Sequence, residues 1–400
     1  MTTTIPTRFR AGEARAARIG RPLKVFGRVD RVDDALMDRI AAGFMQQDEP
    51  GDRLAAALRS RGEGAVSMHQ LHTALARGVD AVPDAPPALR EFFALVEATP
   101  EWVDHDLLAE GARVYRRLGR SAADVLLQLS LIGGYRFGGP TDLLVATGGL
   151  TGDTTMRRLG ETQQWGIAVS EPDAMRRDGD GWRLTVHVRV MHALVNHRFR
   201  EPGRWDVERW GLPINQTDQA ATLGLFDATL LIGARALGCR VTREDSRAVM
   251  HLWRYIGWLM GLDDQWLVDS ERERHRLDYH LLLAQDDVTP AGRELAASIV
   301  ETQPRLHYRR LGWFHRRYQR ERLLSMLRVF LGKQGLADLG LPRRPVWATP
   351  AIVAKNVVLH HVLGRTRLGE RLLHRLADRS RAELVRWYFG DDRPDVGAVG

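Results

Sequence analysis

The chain has 400 residues and 44% hydrophobic content, enough to bury a sizeable core. Its 58 basic and 50 acidic residues leave a net charge of +8, a diluted bias that permits an acidic ligand, an anionic membrane or nucleic acid without selecting one. Cys239 is the only cysteine, which excludes an intrachain disulfide and a cysteine-based zinc site.

Taken in order, the first residues (MTTTIPTRFRAGEARAARIGRP) hold no apolar run of signal-peptide length, and no uncharged stretch long enough to span a bilayer follows. A cytoplasmic protein is therefore expected. Residues 1–30 are basic, poor in large apolar side chains, and read as a loose arm. A helical body is expected over 31–340. Leu36, Ile40 and Phe44 have helical spacing after Asp33. A turn is expected at 48–52, with Asp52 capping the next helix. Short helices follow up to Gly78, then after Pro86-Pro87, then from about Leu107 to Leu118. Ser121–Tyr135 lacks a polar face, so a helix there would be buried. A short helix before Gly148-Gly149 precedes one capped by Asp153 or Thr154. Residues 186–190 (VHVRV) alternate with period two but run straight into a helical pattern. Residues 219–237 read as one long helix ended by Gly238, and Thr242 caps the next. Residues 341–400 read as two more helices and a tail. The fold class is all-α.

Three groups of residues could carry chemistry. His187, His192 and His197 are five apart, so successive members stand about 140° apart on a helix and cannot share one metal. His192 differs from the others because Val188, Met191 and Val195 put it beside an apolar face. That suits either an axial iron ligand, which must be a neutral imidazole, or a core histidine bonded to a carbonyl. Arg158 and Thr162, four apart, either present a cation and a hydroxyl together or are a solvated arginine and a threonine bonded into its own turn. Arg189, one turn before His192, is either a carboxylate-binding fork or part of a solvated face. Asn215 opens the turn before Asp218, where helix-start chemistry explains most of the pattern. Trp253 and Trp258 read as packing. The arginines of 304–322 interleave with Tyr308, Trp313, Phe314 and Tyr318. They suit nucleic-acid phosphates with stacking, a membrane surface, or a solvated face with buried stems.

RLGET at 158–162, VRVMHA at 188–193, WGLPINQTD at 210–218 and HLWRYIGWLMG at 251–261, in that order, resemble the catalytic domain shared by latex-clearing rubber oxygenases and the MpaB-type oxygenases, over roughly residues 110–270. The resemblance implies a helical fold with a globin-like core and a non-covalent haem b. It puts His192 at the proximal iron ligand and Arg158 and Thr162 at the RxxxT pair of the pocket; Arg189, by its place near His192, and Asn215 are further candidate cofactor contacts. It also implies dioxygen and oxidative cleavage of a C=C bond in an isoprenoid or other small unsaturated apolar substrate. Peripheral membrane contact is compatible with this reading, and no specific nucleic acid is expected. Two departures follow. Glu161 stands where the rubber-cleaving members have a lysine before the threonine. No glutamate occurs in 120–150, which leaves Asp142 as the carboxylate nearest the place of the family's distal base. A haem-binding or haem-sensing protein without turnover is the alternative on those grounds, and a basic nucleic-acid-binding protein the alternative on 304–322.

Overall fold

A computed structural model of the chain describes residues 5–148, 154–308 and 312–390. Among the described residues every regular element is helical. The chain divides into two compact units. The first comprises 1–112, 168–223 and 247–285, and the second 113–167, 224–246 and 286–400.

The first unit opens with a correction. Residues 5–30, expected as a loose arm, contain helices Glu13–Ile19 and Arg21–Phe26. They are held down by Arg8, whose side chain is fully buried, pairs with Asp218 at 2.5 Å and lies 4.1 Å over the Phe44 ring. The segment is poor in buried large apolar side chains, and a buried cation between a carboxylate and an aromatic face adds to the packing of Phe9 on Phe44. The helix Asp34–Gly43 starts where Asp33 predicts it, the Asp33 carboxylate accepting the Leu36 N–H at 3.1 Å. The following helix starts earlier than expected, at Glu49. Asp48 precedes it without capping it, and Asp52 pairs with Arg200. Met68–Arg77 begins in a Ser67/Gln70 capping box and stops at Gly78. The helix Asp180–Phe199 buries Trp182, Val186, Val190 and Ala193, a stripe of helical period.

In the second unit Leu295, Ile299, Leu324, Leu327, Ile132 and Leu336 form a fully buried centre. The apolar segment after Ser121 is fully buried over 121–125, but residues Leu126–Ile132 wind as a π-helix whose Leu126, Leu127, Leu129 and Leu131 are only half-buried. The expected single helix over 219–237 is two, Gln216–Phe226 and Ala228–Ala236. They break at Asp227, whose carboxylate caps the second by accepting the Ala228 N–H. Thr242 caps the next helix, accepting the Asp245 N–H at 3.1 Å. Asp153, the alternative cap for the helix Thr154–Ala168, lies outside the described residues, as do 309–311 of the basic run and the end of the tail.

Candidate functional site

His192 sits in the helix Asp180–Phe199, in the first unit. That helix is fixed by polar anchors on its buried side. Asn196 donates to Gln47 Oε1 at 2.7 Å and accepts the Ile214 N–H at 3.2 Å. Arg189 is buried and grips Asp48 with two parallel bonds, Nε to Oδ2 and Nη2 to Oδ1, both 2.7 Å. Its remaining nitrogen reaches the Leu259 carbonyl at 3.3 Å, and its guanidinium lies 5.1 Å from the Phe92 ring centre. This fork is engaged within the protein as a buried ion pair.

Asn215 is likewise employed. Its Nδ2 donates to the Leu212 carbonyl at 2.9 Å and to Asp218 at 2.8 Å, and its Oδ1 accepts the Asp218 N–H at 2.9 Å. Its neighbours continue the pattern. Gln216 donates to the Gly261 carbonyl and accepts the Asp263 N–H, and the Thr217 hydroxyl donates to the Ile40 carbonyl. Two glycines make these approaches possible. Gly211 has φ 74°, and a Cβ there would stand 2.6 Å from the Phe44 carbonyl oxygen, beside the 2.9 Å bond from the Leu212 N–H to that oxygen. Gly261 has φ 86°, and a Cβ there would stand 2.6 Å from the Asp48 carboxylate and 2.9 Å from Arg189 Nε. Only glycine takes that conformation and leaves that space. WGLPINQTD and the last glycine of HLWRYIGWLMG thus form a structural knot around the Asp48–Arg189 pair.

His192 differs from Arg189 and Asn215. Its Nδ1 is buried without a hydrogen-bond partner, while the ring as a whole is part-exposed. Burial pushes its pKa down to about 4, against the opposing pull of the Asp48 carboxylate. The imidazole is therefore neutral at physiological pH, the form that binds a metal. Leu184, Val188, Met191 and Val195 form a stripe on one side of His192, and each is only half-buried. The opposite stripe, from Trp182 to Ala193, is closed. His187 and His197 also keep buried ring nitrogens without partners, and the His187 ring stands 5.8 Å from that of His72. Among the described residues no three His, Cys, Asp or Glu side chains gather as a metal site.

Arg158 and Thr162 lie in the helix Thr154–Ala168, in the second unit. Thr155 and Leu159 seat this helix, Thr155 through a 2.6 Å bond between its hydroxyl and that of Ser298. Thr162 stands only about 20° from Thr155 on the helical wheel, yet it is exposed. Its hydroxyl donates to the Arg158 carbonyl at 3.0 Å. Arg158 is exposed and 3.7 Å from Glu161. Glu161 also accepts from Arg157 at 2.9 Å. Asp142, the candidate base, caps the start of its helix. Its Oδ2 accepts from the Gly139 N–H at 3.0 Å, the Thr141 hydroxyl at 3.2 Å and the Thr289 hydroxyl at 3.0 Å.

Two further residues shape this region. Asp48 holds Arg189 from 141 positions away, and nothing in the local pattern marks it. Arg8 was hidden in a segment read as loose, and only the sequence's scarcity of apolar anchors there hinted at a polar one.

The model of a family described as "ER-bound oxygenase mpaB/B'/Rubber oxygenase, catalytic domain" matches residues 118–360. A rubber oxygenase from Streptomyces sp. (strain K30) is 25% identical over 229 residues, 55% of this chain and 54% of that protein. The chain thus spans about half the length of that relative. A solved structure of latex clearing protein LCP in the closed state has the same fold, with a TM-score of 0.64 at 20% identity, covering 88% of this chain and 93% of that one. The family match takes in more than half of the chain and contains Arg158, Thr162, His192 and the knot around Asn215, so the chain belongs to the mpaB/B'/rubber oxygenase catalytic-domain family.

Proposed function

We propose that this protein is a haem-b-dependent oxygenase that cleaves a C=C bond of a small isoprenoid or other unsaturated apolar substrate with dioxygen. One observation carries the reading. A neutral imidazole with an unpartnered buried nitrogen stands beside a half-covered apolar stripe, Leu184, Val188, Met191 and Val195. A flat apolar cofactor with one axial nitrogen ligand needs both features. His192 would hold the iron, and the stripe would keep water from the macrocycle. When bound, haem would supply the iron chemistry that activates dioxygen. Arg158 would offer a cation and Thr162 a hydroxyl to oxygen-bearing groups of the substrate as they form. Thr162 can turn its hydroxyl outward because its present partner is only its own helix carbonyl.

A second reading, a haem-binding protein without turnover, is favoured by the carboxylates. Asp142 is spent on capping and Glu161 on two arginines, so neither is a ready proton acceptor.

The test is an absorption spectrum of the purified protein, oxidised and then reduced with dithionite. The proposal expects a Soret band at about one haem per chain, lost in His192→Ala. A full haem spectrum in that variant would sink the ligand assignment, and a protein that stays colourless after haem is added would sink the cofactor. Oxygen uptake with added isoprenoids then separates the two readings.

A further inference from the structure

The basic segment singled out in the sequence is not absorbed by the oxygenase reading, and within the second unit it builds a surface. At the start of the helix Gly312–Phe330, Trp313 is 75% exposed and Phe314 is 50% exposed. Tyr318 and Trp347, with Val346 beside it, are also exposed. These rings touch one another in sequence. Trp313 meets Phe314 edge-on at 6.1 Å, Phe314 stacks on Tyr318 at 6.1 Å, and Tyr318 leans on Trp347 at 5.5 Å. Trp347 is held in place because the Ser325 hydroxyl accepts its backbone N–H at 2.9 Å. Such a strip would normally be buried, since large contiguous apolar patches are rare on free surfaces.

The charge around the strip has one sign. Glu321 is neutralised by Arg320 and Arg344. Arg316, Arg317 and Arg343 are exposed, and among the described residues none of them pairs with a carboxylate. Aromatic rings flanked by unpaired arginines match the boundary between acyl chains and anionic headgroups. Rings of Trp and Tyr settle at that depth, and arginine stems extend along apolar surface to reach phosphate. A second copy of this chain would set arginine against arginine across the contact. A nucleic acid needs ring faces spaced to receive bases, whereas here Phe314 and Tyr318 are stacked on each other.

We propose that the strip Trp313–Phe314–Tyr318–Trp347, with Arg316, Arg317 and Arg343, docks this protein on an anionic phospholipid bilayer. The test is flotation of the full-length protein with phosphatidylcholine vesicles, with and without phosphatidylserine. Wild-type protein should float with the anionic vesicles and detach as salt rises. Trp313→Ser with Phe314→Ser should lower the bound fraction at least about tenfold. Arg316→Gln with Arg317→Gln should lower it about fivefold for each arginine and weaken the preference for phosphatidylserine accordingly. All four side chains are exposed, so circular dichroism should be unchanged, and the arginine variant decides the matter if the aromatic one misfolds. The proposal is overturned by wild-type protein that does not float or by variants that float like wild type. It is also overturned if both substitutions abolish RNA binding while vesicle binding is absent, or if they abolish only a self-association of the chain.

Discussion

Asp48 and Arg189 illustrate what a single buried pair does near the proposed ligand. Both side chains are close to fully buried, and the contact is bidentate. Taking two charges out of water costs several kcal/mol, which the pair recovers only through this geometry. Asp48→Ala would leave Arg189 buried with the Leu259 carbonyl as its remaining hydrogen-bond partner. It should cost about 3–5 kcal/mol, read as a lower urea midpoint. Replacing both partners, Asp48→Leu with Arg189→Met, should recover most of that loss, because no uncompensated charge remains. A single variant with wild-type stability would mean that the pair is not a structural anchor. The contrast with His192 is one of employment. Every polar group of Arg189 and Asn215 has a protein partner, whereas His192 Nδ1 has none.

At the scale of the element, the turn before the helix Gln216–Phe226 is the clearest case of a sequence motif whose work is folding. Asn215→Ala would remove three hydrogen bonds and strand the half-buried Leu212 carbonyl and the buried Asp218 N–H. Stranded buried groups cost about 1–3 kcal/mol each, so a loss of roughly 3 kcal/mol is expected in thermal or urea unfolding. At a temperature where the variant is folded, its haem spectrum should match wild type. A variant with normal stability but no Soret band would return Asn215 to the cofactor. One helix start of this kind was legible because Thr242 advertises its cap locally, whereas the caps at Asp33 and Ser67 emerge only in the structure. The break at Asp227 was not legible, because a continuous apolar run conceals a carboxylate that caps its own neighbour. The roles of Asp48 and Arg8 were invisible for the same kind of reason. Their partners lie 141 and 210 positions away, and periodicity carries no information at that range. His192 was legible as a candidate from its apolar flanks. The hydrogen-bond partners of Arg189 and Asn215 were not legible in the sequence.

Across the whole molecule the histidines set an acid limit on stability. His187, His192, His251 and His280 in the first unit, and His360 and His374 in the second, are all held below the usual 6.5, with burial the largest cause in each. For His192 and His360 the value falls to about 4. Two of the six have a specific structural duty. His251 Nε2 accepts the Asp104 N–H at 3.0 Å, and His280 Nε2 accepts the Asp33 N–H at 3.0 Å, with His280 Nδ1 2.7 Å from the Arg276 carbonyl. Protonation would turn each of those acceptors into a donor facing a donor. The unfolded chain takes up these protons near pH 6.5 while the folded chain resists them. Stability from this source is therefore complete above about pH 6.5 and is lost as pH falls toward the folded values. Asp33 and Asp104 are held below the usual carboxylate range and add their loss only at lower pH. One pKa unit on one group is about 1.4 kcal/mol, against a typical folding free energy of about 5–15 kcal/mol, so several histidines acting together are decisive. The urea midpoint of the haem-free protein should be level from pH 8 to 7 and fall steeply between about pH 6.5 and 5. His280→Gln should be less stable at pH 7, having lost its paired ring, and should show a shallower fall through that window. A midpoint that stays level down to pH 5 would show that these rings do not couple proton uptake to unfolding.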